Sequence, residues 1–203
     1  MRVSLWVALA ALTFGGQAQA GQSGHSTDTP LSNVKPFREL QNFGTCFART
    51  HRRGALTLIA TPPGSPEEEK AFNRMVFGDD APCLAGGTRM SMPIIFARGA
   101  IAEGLLRSEG VPDTHRLASL SPGEAKDLHG VARCYTSKHR TNVEKLLQTP
   151  PGTREEVTAV AGLWPDFKTC MPGFNVRLNA PWIRFLLAEA LLRLEPDVVT
   201  SGS

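Results

Sequence analysis

Two histidines and two glutamates are the residues whose type and spacing could do chemistry in this chain of 203 residues. Each histidine lies on an apolar stripe with helical spacing, and each glutamate interrupts a very apolar helical segment. Neutral imidazole and carboxylate groups suit zinc or iron, and a carboxylate in apolar surroundings can act as a general acid or base. The catalytic candidates are therefore His51, His139, Glu103 and Glu189.

A structural role for the same four residues is the simpler interpretation. An imidazole on the apolar face of a helix is commonly a core residue. No H-E-x-x-H or E-x-x-H motif accompanies the histidines. An arginine follows each glutamate four residues later, which is the favourable order for an ion pair along a helix. The sequence therefore predicts no resident metal ion and no cofactor, and it favours a non-enzymatic role.

Two arginines precede these glutamates by five residues, so they do not share a helix face with them. We expect the arginines to reach another helix or the other half of the chain, or to clamp the carboxylate of a ligand. Two aromatic residues near the ends of predicted helices could stack on a ligand or belong to the core. The ligand-binding candidates are Arg98, Arg184, Trp164 and Phe77.

An internal duplication explains why these candidates occur in matched pairs. A Cys-x4-His-Arg motif begins at Cys46 and again at Cys134, and Thr-Pro-Pro-Gly follows fifteen residues after each cysteine. Paired glutamates, an Asp-x3-Cys motif and an apolar helix with arginine and glutamate then follow in the same order. Because two copies are too few for a solenoid, we expect a closed pseudo-twofold pair.

Four cysteines allow three disulfide pairings. If the duplicated unit once folded alone, each copy pairs its own cysteines, which predicts Cys46–Cys83 and Cys134–Cys170. Crossed pairings would instead tie the copies together, and free or metal-bound thiols are a further alternative. No C-x-x-C motif is present, so the signatures of thioredoxin-like chemistry and zinc ribbons are missing.

Helical periodicity predicts an all-α fold of two tandem three-helix repeats, with one disulfide in each repeat. The first helix of each repeat runs continuously through its histidine, and in repeat 2 it starts at the Ser121-Pro122 capping box. The second helix ends near Phe77 or Trp164, and the third starts near Pro93 or Pro181. The predicted organisation is a signal peptide at 1–20, a flexible arm at 21–35, repeat 1 at 36–107, a linker at 108–120, repeat 2 at 121–195 and a flexible tail at 196–203.

The N-terminus has the layout of a secretory signal. Arg2 is followed by the apolar run Leu5–Phe14 and by Ala18-Gln19-Ala20, an A-x-A cleavage site. No later segment is apolar for long enough to span a membrane. An even cysteine count fits this compartment, since disulfides persist in oxidising environments. We therefore expect a periplasmic or secreted protein.

The formal net charge of +3 is too small to indicate nucleic-acid binding. The sequence thus predicts an exported, disulfide-stabilised helical protein that binds a partner protein, an envelope component or a small ligand in the groove between its repeats. The alternative is a metal-binding protein or enzyme that uses the paired histidines and glutamates at the pseudo-twofold axis.

Overall fold

The computed structural model describes residues 34–77, 83, 93–108, 124–171, 173 and 178–194. All regular elements in these ranges are α-helices, which confirms the all-α class. The seven helices of the described ranges are α1 (Val34–Thr50), α2 (Arg52–Ala60), α3 (Pro66–Phe77), α4 (Ile94–Arg107), α5 (Leu128–Gln148), α6 (Arg154–Thr169) and α7 (Ala180–Arg193). The predicted signal peptide and tail, and most of the predicted arm and linker, lie outside the described residues.

A Thr-Pro-Pro-Gly turn separates α2 from α3. The hydroxyl of Thr61 donates to the carbonyl of Leu58 at 2.6 Å, and Gly64 has a φ of 75°, which L-residues rarely adopt. Ser65 then caps α3 by accepting the backbone N–H of Glu68 at 3.1 Å. The turn between α5 and α6 has the same contacts, made by Thr149, Leu146, Gly152, Thr153 and Glu156.

The first helix of each half was predicted to run straight through its histidine, but the structure bends the chain there. His51 has φ −127° and ψ 41° and separates α1 from α2, while His139 has φ −129° and ψ 34° and kinks α5. Each imidazole lies against the aromatic ring one turn earlier, His51 at 4.8 Å from Phe47 and His139 at 4.6 Å from Tyr135 between centroids. The backbone N–H of His51 still bonds the carbonyl of Phe47 at 2.9 Å, so the chain bends without losing this hydrogen bond.

The start of α5 also differs from its prediction. This helix begins at Leu128 rather than beside Pro122, because the carboxylate of Asp127 caps it by accepting a backbone N–H of the first turn at 2.6 Å. The start of α7 agrees with the sequence. Asn179 caps it by accepting the backbone N–H of Trp182 at 3.1 Å.

The end of α6 lies further along the chain than predicted. The helix passes Trp164, continues through Pro165 and ends at Thr169. A proline inside a helix removes one backbone hydrogen bond. The last turn is nevertheless held against the core, because Phe167 and Cys170 are both fully buried.

The two apolar helices α4 and α7 lie at the centre of the described structure. α4 packs on α1 and α7, and α7 packs on α5. Buried residues form two clusters, yet Phe185, Ala188 and Leu192 of α7 belong to the cluster of the first half of the chain. The contact between α4 and α7 therefore joins the two halves into one core.

Glycine allows the central helices to approach closely. A Cβ atom on Gly44 of α1 would overlap the backbone of Ala100 on α4. A Cβ atom on Gly99 of α4 would likewise overlap Phe185 on α7. The small residues thus set the distances between α1, α4 and α7.

Two disulfides are present, with the pairing predicted from the repeats. Cys46 bonds Cys83 and Cys134 bonds Cys170, with Cα atoms 5.6 and 5.8 Å apart. They close loops with sequence separations of 37 and 36 residues. Each bond stabilises the fold by about 3–4 kcal/mol in the chain-entropy model.

Gly44→Ala should lower the free energy of unfolding by about 1–3 kcal/mol or more, because the added methyl group overlaps the backbone of α4. The matched control is Gly54→Ala in α2, where a Cβ atom would meet nothing within 4 Å. That variant should be neutral or stabilising by up to about 1 kcal/mol, because alanine is the better helix former. Urea unfolding measures both, and equal effects would contradict the close packing of α1 on α4.

Candidate functional site

Arg98 is completely buried and is held by carboxylates from two helices. Its Nη2 lies 2.5 Å from an oxygen of Glu189 on α7, and its Nη1 lies 3.0 Å from an oxygen of Glu68 on α3. Glu68 is also the third residue of α3, where its other oxygen accepts the N–H of Gly64 at 2.6 Å. The guanidinium further donates to three backbone carbonyls at the end of α2, those of Leu58, Ile59 and Thr61.

Arg184 has the matching environment in the second half of the chain. It is 1% exposed, its Nη2 lies 2.7 Å from Glu103 on α4, and its Nη1 lies 3.0 Å from Glu156 on α6. The carbonyls that accept its remaining N–H groups are those of Leu146, Leu147 and Thr149 at the end of α5. We name these two sets of residues the Arg98 cluster and the Arg184 cluster.

The clusters connect the two halves of the chain. Each arginine takes one carboxylate from its own half and one from the central helix of the other half. The predicted pairs along the helices are also confirmed, because Arg107 lies 2.6 Å from Glu103 and Arg193 lies 3.1 Å from Glu189. Carbonyls at helix ends, which lack partners within the helix, are satisfied by the same guanidinium groups.

The electrostatics of the clusters favour the ionised forms. Burial alone would raise the pKa of Glu189, but the hydrogen bond with His129 and the positive charge of Arg98 outweigh it and hold that pKa below its usual range. Burial would lower the pKa of Arg184, but Glu103 and a second carboxylate raise it above its usual range. Glu189 and Arg184 are thus charged at neutral pH, and the arginines of both clusters are occupied by oxygens of the protein itself.

His129 is a residue of this site that the sequence did not single out. Its Nδ1 lies 3.3 Å from Glu189, and the matched residue of the first half, Gln41, donates to Glu103 at 3.1 Å. The sequence feature that could have revealed His129 is a polar residue at the same helical position in both halves. It was missed because glutamine and histidine differ in type.

The structure does not bring the four catalytic candidates together. The hydrogen-bond partners of Glu103 and Glu189 do not include His51 or His139. Nδ1 of His139 lies 3.9 Å from a carboxylate oxygen of Asp166. Within the described ranges, no three His, Cys, Asp or Glu side chains are grouped so that they could hold a metal ion.

The aromatic candidates are placed differently. Trp164 is half-buried against the core of the second half and stacks on Phe167 with centroids 6.0 Å apart. The amine of Lys168 lies 5.7 Å from its ring centroid. Phe77 is the last residue of α3, and its side chain lies outside the described part.

A cleft of about 850 Å³ opens in the first half of the chain. We call it the kink cleft, because the bend at His51 forms one wall and α3 forms the other. It is lined by Phe47, Thr50, His51, Arg52, Arg53, Gly54, Thr57, Thr61, Glu67, Lys70, Ala71, Arg74 and Met75. Its size lies within the range of small-molecule sites.

A smaller cavity of about 260 Å³ lies between the two halves of the chain. Pro62 and Pro63 of the first turn form one side, and α5 and α7 form the other. His129 and Glu189 line it, so it borders the Arg98 cluster.

Comparison with known proteins does not assign the chain to a class. No family model matches it, and neither a curated protein nor a solved structure is significantly similar to it. Among the described helices, none combines the length and apolar character needed to cross a bilayer.

Arg98→Met should lower the free energy of unfolding by about 3–5 kcal/mol, because it keeps an apolar stem but removes the cation of buried Glu68 and one of the two arginines that bind buried Glu189. The control is Arg53→Met, since Arg53 is exposed in α2 and should change stability by no more than about 0.5 kcal/mol. Urea unfolding at neutral pH measures both variants. A loss below about 1 kcal/mol for Arg98→Met would contradict the role of the cluster.

Glu189 should make stability depend on acid pH. Its pKa is lower in the folded chain than the usual value of 4.5, so the unfolded chain takes up the proton first. The stabilisation is therefore complete above that value and is lost as the pH falls below it. In Glu189→Gln, the free energy of unfolding should fall less steeply between about pH 5 and pH 3 than in the wild type, whereas exposed Glu155→Gln should keep the wild-type slope. Equal slopes for all three proteins would refute this assignment.

Proposed function

We propose that this protein is an exported binding module built from two related helical units. The repeated sequence motifs support the relation between the units. Contacts at matched positions support it as well, because both halves have the same turn, the same bend at histidine and the same type of arginine cluster. In this proposal the units are tandem three-helix repeats in a pseudo-twofold arrangement, with the first helix of each repeat bent at its histidine.

Export is proposed on two grounds. The first twenty residues have the order of a secretory signal, with a basic residue, a short apolar run and an A-x-A site. The two disulfides are compatible with an oxidising compartment such as the periplasm.

The observation that carries the binding role is the kink cleft. It combines an apolar floor with polar and charged walls at a volume of about 850 Å³, as small-molecule sites commonly do. We place the site here rather than in the predicted groove between the repeats. The cavity in that groove is about 260 Å³, and its carboxylate Glu189 is already occupied by arginines.

The alternative of a metal-binding protein or enzyme has no comparable support. Its two carboxylates, Glu103 and Glu189, are held by buried arginines. Its two histidines contact aromatic rings at the helix bends. No second function is proposed on this basis.

Gly54→Trp should block the cleft, because Gly54 lies in its wall and has open space where a side chain would begin. Gly162→Trp on α6 is the matched control, since Gly162 is an exposed helical glycine with the same open space but does not line the cleft. Both variants and the wild type are screened against a mixed set of neutral, anionic and cationic small molecules by thermal unfolding.

Compounds that stabilise the wild type and Gly162→Trp, but not Gly54→Trp, are the expected result. A ligand at about 100 times its Kd should add about 2.7 kcal/mol to the free energy of unfolding. If nothing in the set stabilises the wild type, or if Gly54→Trp responds equally, the proposed site is wrong.

A further inference from the structure

We propose that the kink cleft takes an amphipathic anion, a small molecule with a carboxylate or phosphate group on an apolar body. This inference rests on the proposed binding function and adds the chemical class of the ligand. It follows from the charge of the walls, the apolar floor and one polar atom of a lining residue that is unpartnered within the described ranges.

Three cations of the walls are not neutralised within the part of the chain that the structure describes. Four cationic side chains line the cleft against one carboxylate, that of Glu67. Arg52 donates to the hydroxyl of Ser108 at 2.8 Å. The other three cations, Arg53, Lys70 and Arg74, are exposed and make no ion pair with any carboxylate among the described residues.

This arrangement contrasts with the core of the same protein. Arg98 and Arg184 each receive two carboxylates and several carbonyls, so the fold neutralises the cations that it buries. Three cations that share one concave surface repel each other in the absence of an anion. An acidic ligand group would relieve this repulsion and gain charge-assisted hydrogen bonds.

The floor of the cleft favours an apolar body on that ligand. Phe47 and Met75 are 2% and 8% exposed, and Ala71 lies between the charged residues of α3. A purely inorganic anion would leave this surface unused. An apolar chain or ring placed on it would gain about 25 cal/mol for each Å² of apolar surface removed from water.

His51 lines the cleft and carries a polar atom that has no partner among the described residues. Its ring lies on Phe47, and its Nε2 is buried without a hydrogen-bond partner in the described part of the chain. Buried polar atoms are normally hydrogen-bonded. A ligand oxygen would be a suitable partner, because a protonated Nε2 donates a hydrogen bond.

The shared fold does not require the cations of α3. At the matched positions of α6, Lys70 and Arg74 correspond to Thr158 and Gly162, whereas the residues of the buried clusters are of the same type in both halves. The second half has two lysines of its own on α5, at positions 138 and 145. The cationic wall on α3 is therefore a feature of the first half, and the fold forms in the second half without it.

The test is calorimetric titration of the full chain with three probes below their micellar concentrations. Sodium dodecanoate has an acidic head and an apolar body, dodecyltrimethylammonium has the same body with the opposite charge, and acetate has the acidic group without the body. We expect dodecanoate to bind at least about tenfold more tightly than either of the others, a ratio that corresponds to about 1.4 kcal/mol.

Charge variants test the wall directly. Lys70→Thr with Arg74→Ala should weaken dodecanoate binding roughly tenfold, because two charge-assisted contacts are lost. The matched control, Lys145→Thr with Arg154→Thr, removes the same charge from exposed positions of the second half and should stay within about twofold of the wild type. An equal effect of both double variants would overturn the inference, since the effect would then come from net charge alone.

The remaining outcomes separate this inference from the proposed function. If the cationic and anionic detergents bind equally and Gly54→Trp abolishes both, the cleft is a binding site but the anion inference is wrong. If dodecanoate binds Gly54→Trp as tightly as it binds the wild type, the kink cleft is not the binding site and the proposed function is wrong. A further arm uses vesicles of phosphatidylglycerol. Protein that sediments with them but does not bind monomeric dodecanoate would indicate a membrane headgroup and overturn the small-molecule proposal.

Discussion

Two guanidinium groups buried in the core impose the main constraint on this structure. A buried charge is tolerated only with a counter-charge and with hydrogen bonds for its remaining donors. Arg98 and Arg184 each obtain one carboxylate from the central helix of the other half of the chain. Sliding α4 along α7 by one turn would break both ion pairs between these helices, Arg98 with Glu189 and Arg184 with Glu103. The clusters therefore select one register for these helices. The clusters contribute more to the choice of this register than to the free energy of unfolding. A buried ion pair adds little stability compared with apolar residues of the same size.

The turns between helices serve the same constraint. In α3, the glutamate of the N-terminal capping motif binds the N–H of Gly64 with one oxygen and Arg98 with the other. Carbonyls at the end of α2 approach the same guanidinium from the opposite side of the turn. The Thr-Pro-Pro-Gly sequence thus ends one helix, starts the next and presents both ends to one cation. This combined requirement gives a physical reason for the turn and its glutamate to occur together in both halves.

The sequence was informative where the interactions are local and less so where they are distant. The helical class and the disulfide pairing followed from spacing and from the predicted duplication. The partners of Arg98 could not be read in this way, because Glu189 lies 91 residues away. The bend at His51 has no proline or glycine at its centre, so apolar periodicity continues across it. The kink cleft depends on that bend and was therefore not predicted.

The comparison of the two halves separates structural from functional positions. Some matched residues are identical in the two halves and pair with each other's counterparts in the core, Arg98 with Glu189 and Arg184 with Glu103. The donors of both arginines are thereby used by oxygens of the protein. A position that holds one charge of such a buried ion pair is constrained to the same residue type in both halves. A position on the wall of a cleft has no such requirement, and Lys70 and Arg74 have no cationic equivalents on α6. His51 belongs to both groups. Its backbone has the bend that both halves share, while the residue also lines the cleft beside cations that only the first half carries. A shared backbone feature has thus placed an imidazole beside charges that the fold itself does not use.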